Sequence, residues 1–179
     1  MTIWRIHLKP AAREGVDPFQ FCIEMGIAGD GWQVDGLTDG ISLEEYEAAY
    51  EALMDRTNAN RGNRAGWKAA INAIGRDMLI DDLVWARNNA KIYYLGRITS
   101  GWSYKASAEY ADADIVNVRD CDWHPITDKN IVIPQEVVDS FDGRGHTVER
   151  IHNNGEWVTI ESQRIYNRVS NSNFYRIEA

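Results

Sequence analysis

The residues of this chain best suited to bind a ligand are its aromatic side chains, among them seven tryptophans. Trp4, Trp67 and Trp157 lie on apolar faces of predicted strands or helices, so we expect them in the core. The remaining candidates are Trp32, Trp85, Trp102, Trp123 and Tyr104. Loops at strand ends often meet at one rim of a sheet, where such rings could stack on a nucleobase for about 1–3 kcal/mol per base. The alternative is that these rings only fill the interior, as large aromatics usually do.

Motifs of catalysis and of metal binding do not emerge from the sequence. It contains neither the phosphate-binding pattern G-x-x-x-x-G-K-[ST] nor the nucleophile pattern G-x-S-x-G. Cys121 and His124 have C-x-x-H spacing, but no second pair of ligands completes a zinc site. We therefore expect no catalytic residue, no metal and no cofactor, and interpret the chain as a binding protein rather than an enzyme.

The composition predicts one globular domain over residues 1–179, with a helical extension at about residues 134–179. The net charge of −8 means that binding to nucleic acid must depend on a local basic patch or on a pocket for a base. The same charge favours a protein partner or a small ligand. Two cysteines and the lack of a long apolar run predict a cytoplasmic protein without a membrane span.

Sequence periodicity predicts the strands and helices in which these residues lie. Alternating stretches indicate strands at residues 3–9, 82–87, 91–99, 114–123 and 146–151, with a hairpin turn at Asn88-Asn89. Helices are expected to begin at Asp17-Pro18, at the capping box of Ser42 and Glu45, and at Pro134, with two more around Trp67 and residues 157–169. The mixed order predicts an α+β fold, a small curved sheet or barrel decorated by helices.

The order of the motifs resembles the PUA-like superfamily, specifically its EVE and YTH-like modules, which occur at the N-terminus of prokaryotic modification-dependent restriction systems. The matching segments are IAGDGW at 27–32, DLV at 82–84, YLGRI at 94–98 with Trp102 and Tyr104, and RDCDW at 119–123. The resemblance covers about residues 3 to 126 and is weaker through 150. In this chain Asp81 replaces a glycine of the family pattern, and Trp102 with Tyr104 replaces a pair of tyrosines.

This resemblance implies a five- or six-stranded barrel-like sheet with an aromatic cage for a flipped, often modified base. By position, Trp32 and Trp102 would form the stacking walls, and Tyr104 or Trp123 would close the cage. Asp30 and the backbone of Gly29 and Gly31 would bond the edge of the base. The residues expected to contact phosphate are Arg97, Lys105, Arg119, Arg144 and His146.

We therefore predict a non-enzymatic domain that binds nucleic acid, DNA in preference to RNA, and accommodates a modified base. By the same resemblance it would act in prokaryotic or phage defence and recruit a protein partner such as a nuclease. The alternative is an acidic interaction or inhibitor protein that targets a nucleic-acid-binding partner.

Overall fold

The computed structural model describes residues 1–8, 12–143, 146–152 and 156–174. In chain order the elements are β1 (Ile3–Ile6), α1 (Pro18–Met25), β2 (Ile27–Asp30), α2 (Leu43–Arg56), α3 (Arg61–Ile71) with a π-helical continuation (Asn72–Asp77), β3 (Leu83–Arg87), β4 (Tyr93–Ile98), β5 (Ser103–Tyr104), α4 (Ala108–Ala113), β6 (Asn117–Pro125), α5 (Gln135–Asp142), β7 (Val148–Arg150) and α6 (Trp157–Phe174). The predicted α+β class is confirmed.

The strands form one curled, half-barrel sheet in the order β2-β6-β4-β3-β1-β7, with β5 also pairing with β6. Strand β6 is the reason for the curl, because its two halves have different partners. Its first half pairs with β2 and β5, and its second half pairs with β4. Strands β1 and β3 are parallel, and the other pairs are antiparallel.

The helix ends that carry local capping signals lie where the sequence predicts them. Asp17 accepts hydrogen bonds from the first backbone N–H groups of α1, and Gly26 ends that helix with φ of 63°. Ser42 and Glu45 form the predicted capping box of α2. Caps of this kind stabilise a helix by about 1 kcal/mol each. The hairpin turn differs from its prediction, because the positive φ falls on Lys91 and not on Asn88-Asn89.

The sheet separates two hydrophobic cores. On one face Val84 and Ala86 pack with α1, α2 and α3, and on the other Leu83 and Trp85 pack with α5 and α6. This alternation follows the two-residue period of a strand. Strand β1 is buried at every position, although an alternating sequence is typical of a half-buried strand.

The C-terminal helix differs from its prediction in the face that it buries. Trp157, expected in the core, is 54% exposed, and Val158, Ser162 and Ile165 are the buried positions. Trp4 and Trp67 are buried as expected. Among the described residues no helix has the length and apolar character needed to cross a membrane.

Candidate functional site

A cavity of about 370 Å³ opens at the point where β2 ends. It is lined by residues 30–33, Tyr50, Asp114 and Thr147, and we call it the Asp30 cavity. Its volume lies at the lower end of the roughly 300–1,000 Å³ typical of ligand pockets. Its residues come from β2, α2, the end of α4 and the segment before β7, so the curl of the sheet assembles it from distant parts of the chain.

Asp30, one of the residues that line this cavity, has an unsatisfied carboxyl oxygen. The residue is only 4% exposed, and its Oδ1 accepts the N–H of Gly31 at 2.8 Å. Its Oδ2 is buried and has no hydrogen-bond partner. Burial raises the pKa of Asp30 to about 6; the Gly31 N–H and the Trp32 side chain oppose this rise, and the nearby Asp114 carboxyl increases it. Buried polar groups are nearly always paired, so this oxygen needs an explanation.

Trp32 forms an aromatic wall of the cavity and has a strained backbone. Its φ is 70°, a left-handed conformation that is unusual for a bulky residue and costs about 1–3 kcal/mol. Its carbonyl accepts the hydroxyl of Tyr46 at 2.8 Å, which holds the turn. The half-buried ring meets Tyr50 edge-on at 6.0 Å and approaches Gly66 of α3. The ring is therefore fixed in place and still lines the cavity.

Tyr50 and Asp114 complete the walls. The ring of Tyr50 stacks on Trp67 with centroids 4.9 Å apart, which makes this wall rigid. Asp114 follows α4 with φ of 53°, and its carboxyl lies against Gly31. A Cβ on Gly31 would lie 2.4 Å from the Oδ1 of Asp114. Glycine at position 31 is thus what lets the second carboxyl approach the first.

A buried hydrogen-bond network centred on the hydroxyl of Tyr46 fixes the backbone beneath the cavity. This hydroxyl accepts from the Trp67 indole at 3.3 Å and from the Asn117 amide at 3.0 Å. The same amide donates to the Gly31 carbonyl at 2.6 Å. Trp102 joins the network, because its indole donates to the Asn117 Oδ1 at 3.2 Å. Trp102 is half-buried against Tyr46, but it is not among the residues that line the Asp30 cavity.

Three other aromatics predicted for the pocket lie elsewhere. Tyr104 is buried, and its hydroxyl bonds both the N–H and the carbonyl of Val34 at 3.1 Å, so it has no free face to close a cage. Trp85 is fully buried in the core on the opposite face, where it donates to Ser162. Trp123 lies six residues beyond Asn117 in β6, about 20 Å along the strand at 3.3 Å per residue.

Two arginines predicted to contact phosphate have structural partners. Arg119 is buried and donates to the carbonyls of Ile74, Gly75 and Ser100, so it stabilises the end of the π-helical segment. Arg97 lies over the ring of Tyr166 at 4.4 Å, on the side of the sheet covered by α6. These contacts within the protein do not favour the predicted phosphate contacts of the two side chains, which stay a prediction.

The other basic candidates differ in position. Lys105 is half-buried beside a separate cavity of about 80 Å³, whose lining shares Gln33 with the Asp30 cavity. His146 is exposed and directly precedes the cavity residue Thr147. Arg144 lies outside the described residues. Of the predicted phosphate contacts that the structure describes, His146 is the one adjacent in sequence to a residue of the cavity.

Sequence reasoning found Asp30, Gly31 and Trp32 but missed Tyr50 and Asp114. Tyr50 lies on the apolar face of α2, a position that is typical of a core residue and does not indicate a ligand site. Asp114 belongs to no motif, and its place beside Gly31 depends on a left-handed turn after α4. No spacing in the sequence indicates that contact.

The arrangement suits a planar ligand that offers hydrogen-bond donors. An ionised carboxylate only accepts hydrogen bonds, and the cavity has carboxyl groups from both Asp30 and Asp114. The indole of Trp32 offers a face for stacking.

Searches against models of protein families, curated proteins and solved structures found no match for this chain.

Proposed function

We propose that this chain is a non-enzymatic nucleic-acid-binding protein of the PUA-like, EVE or YTH-like type, which takes up one base, plain or modified, in the Asp30 cavity. The observation that carries the proposal is the unpartnered, buried Oδ2 of Asp30 beside the ring of Trp32. A base held outside its strand needs a surface for its face and a partner for its edge. These two side chains supply both.

The energies of the two contacts predict a preference for unpaired bases. Stacking on Trp32 would contribute about 1–3 kcal/mol, and a hydrogen bond to an ionised Asp30 about 1.5–3 kcal/mol. Extruding a base from a duplex costs a few kcal/mol, which is a similar amount. We therefore expect single strands, mismatches or modified pairs to bind better than an ordinary duplex.

The charge distribution predicts that binding depends weakly on salt. The chain has a net charge of −8, and of the predicted phosphate contacts His146 lies beside a cavity residue. Each phosphate contact on a single strand contributes about −0.7 to the slope of log K against log salt concentration. One or two contacts give a slope of about −1, whereas a slope of −5 or steeper would contradict this arrangement.

The test is fluorescence anisotropy with single-stranded oligonucleotides that carry plain or modified bases. Trp32→Ala should weaken binding about 5- to 150-fold, which corresponds to the loss of about 1–3 kcal/mol of stacking. Trp157→Ala is the matched control, because Trp157 is exposed on α6, across the sheet from α2 and α3. The proposal fails if the protein binds none of the oligonucleotides, or if the two variants bind them equally well.

A second candidate, an acidic interaction protein, is favoured by a different surface. Trp157 and Ile160 are 54% and 57% exposed and are three residues apart on α6. Exposed aromatic and aliphatic side chains of this kind often anchor a protein partner. In that case Trp157→Ala would abolish capture of a protein partner and Trp32→Ala would not. A role in prokaryotic or phage defence, with a nuclease as partner, belongs to the first proposal and depends on the family resemblance.

A further inference from the structure

The buried end of the Asp30 cavity presents hydrogen-bond acceptors. The Oδ2 of Asp30 has no partner, and its Oδ1 accepts a single N–H, so the ionised group can accept further bonds. Asp114 adds a second carboxyl against Gly31. A ligand that reaches this end lies close to two acidic groups, of which Asp30 has the unpaired oxygen.

Three of the nearby donors are already used within the protein. The N–H of Gly31 donates to Asp30, and the hydroxyl of Tyr46 donates to the carbonyl of Trp32. The amide of Asn117 donates to Gly31 and to Tyr46, which uses both of its hydrogens. None of these three groups is left to pair with an acceptor on a ligand. A ring nitrogen or carbonyl directed at this end of the cavity would face a carboxylate.

The bases differ in how they match such a surface. Guanine presents two adjacent donors, N1–H and N2–H₂, on its pairing edge. Adenine and cytosine place an acceptor ring nitrogen next to their amino group, and thymine presents a donor between two acceptors. On the basis of the proposed function, we infer that the Asp30 cavity selects an edge made of adjacent N–H donors, the edge of a plain or modified guanine. A matched bidentate contact contributes about 1–3 kcal/mol of discrimination, or about 5- to 150-fold.

The pH dependence of binding distinguishes direct contact between Asp30 and the ligand from a merely structural role of Asp30. The titratable groups that influence Asp30 or share its cavity are Asp114, Tyr50 and Cys22 of α1, and His146 lies near the rim. A donor-only edge needs the ionised Asp30, so acidification through a pKa of about 6 should weaken guanine binding. At pH 5 the loss is about tenfold. A mixed edge would bind better at pH 5, because the protonated carboxyl can donate to a ring nitrogen.

The experiment uses the full chain and a thymine decamer with one central guanine, adenine or cytosine. We expect the guanine strand to bind at least fivefold more tightly at pH 7.5, and to lose this advantage at pH 5. Asp30→Asn keeps an acceptor for the Gly31 N–H but turns a donor toward the cavity, so it should abolish the preference. Asp120→Asn, which changes an exposed carboxyl on β6, is the control and should preserve it. His146→Ala removes the histidine near the rim, and the pH dependence should persist in this variant.

The outcomes separate this inference from the proposed function. Binding of all strands without a guanine preference, or a preference that survives Asp30→Asn, overturns the inference and leaves base binding intact. No binding to any strand overturns the proposed function. Competition by guanosine monophosphate at the same concentration as the guanine strand supports the donor edge but identifies a free nucleotide as the ligand, which also overturns the proposed function.

Discussion

Replacing Asp30 by asparagine should stabilise the free protein at neutral pH and not in acid. The carboxyl of Asp30 is buried with one oxygen unpaired, and burial raises its pKa from an ordinary 3.8 to about 6. Below pH 3.8 both the folded and unfolded chains hold the proton, and ionisation carries no penalty. Above pH 6 both are ionised, and the folded state carries the full cost of a buried charge. The stabilisation that the protonated Asp30 carboxyl gives the folded state is therefore lost as the pH rises from about 4 to 6.

The magnitude follows from the two pKa values. The difference between 6 and 3.8 corresponds to about 3 kcal/mol at 1.36 kcal/mol for each pKa unit. About 2 kcal/mol of this develops between pH 4.5 and 8, a range that avoids strong acid. For a chain of 179 residues this corresponds to a melting temperature difference of roughly 4–8 °C.

The assay is urea unfolding of wild type and Asp30→Asn at several pH values. The free energy of unfolding of the variant minus that of wild type should rise by about 2 kcal/mol between pH 4.5 and 8. Because other carboxyls contribute equally to both proteins, the difference isolates Asp30. Asp120→Asn, which removes an exposed carboxyl, should give a flat difference. A flat difference for Asp30→Asn as well would mean that its carboxyl is solvated or paired in the folded protein, and the argument for the site would fail.

Substitutions at three positions test the geometry around the cavity without any ligand. Trp32→Gly should be about 1–2 kcal/mol more stable than Trp32→Ala in urea unfolding, because only glycine adopts a φ of 70° without strain. A higher stability of Trp32→Ala would show that the backbone at position 32 is not strained. Tyr46→Phe should lose about 2–4 kcal/mol, because it leaves the Trp67 indole and the Trp32 carbonyl unpaired. Tyr50→Phe should change stability by less than about 0.5 kcal/mol, because its hydroxyl bonds no residue that the structure describes; equal losses in the two variants would contradict the network.

The parts of the fold that could be predicted from the sequence are those with local causes. Asp17, Gly26 and the Ser42–Glu45 pair act on backbone groups within four residues, so their spacing is sufficient to place the helix ends. The phase of α6 was wrong because its buried face includes Ser162, which accepts the Trp85 indole. A polar residue that is buried for a distant partner looks like a surface residue in the sequence.

The same distinction applies to the site. Asp30 and Trp32 could be predicted, since both belong to the segment IAGDGW and their positions follow from β2. Arg119 could not be placed, because the three carbonyls that hold its guanidinium come from positions 74, 75 and 100. The role of Asp114 depends on its approach to Gly31, which the curl of the sheet creates. Long-range partners of single side chains carry no local signal.

Two costly features that occur two residues apart and line the same cavity are the strongest indication of a ligand site. The ionised Asp30 costs about 3 kcal/mol at neutral pH, and the left-handed Trp32 about 1–3 kcal/mol. Together they are a large part of the roughly 5–15 kcal/mol by which a domain is stable. The fold requires neither of them, because asparagine at position 30 would still accept the Gly31 N–H and glycine at position 32 would fit its φ. What asparagine and glycine would not provide is a carboxylate and an indole facing the same opening. Neighbouring residues that each destabilise the fold are expected where binding, and not stability, determines the residue type.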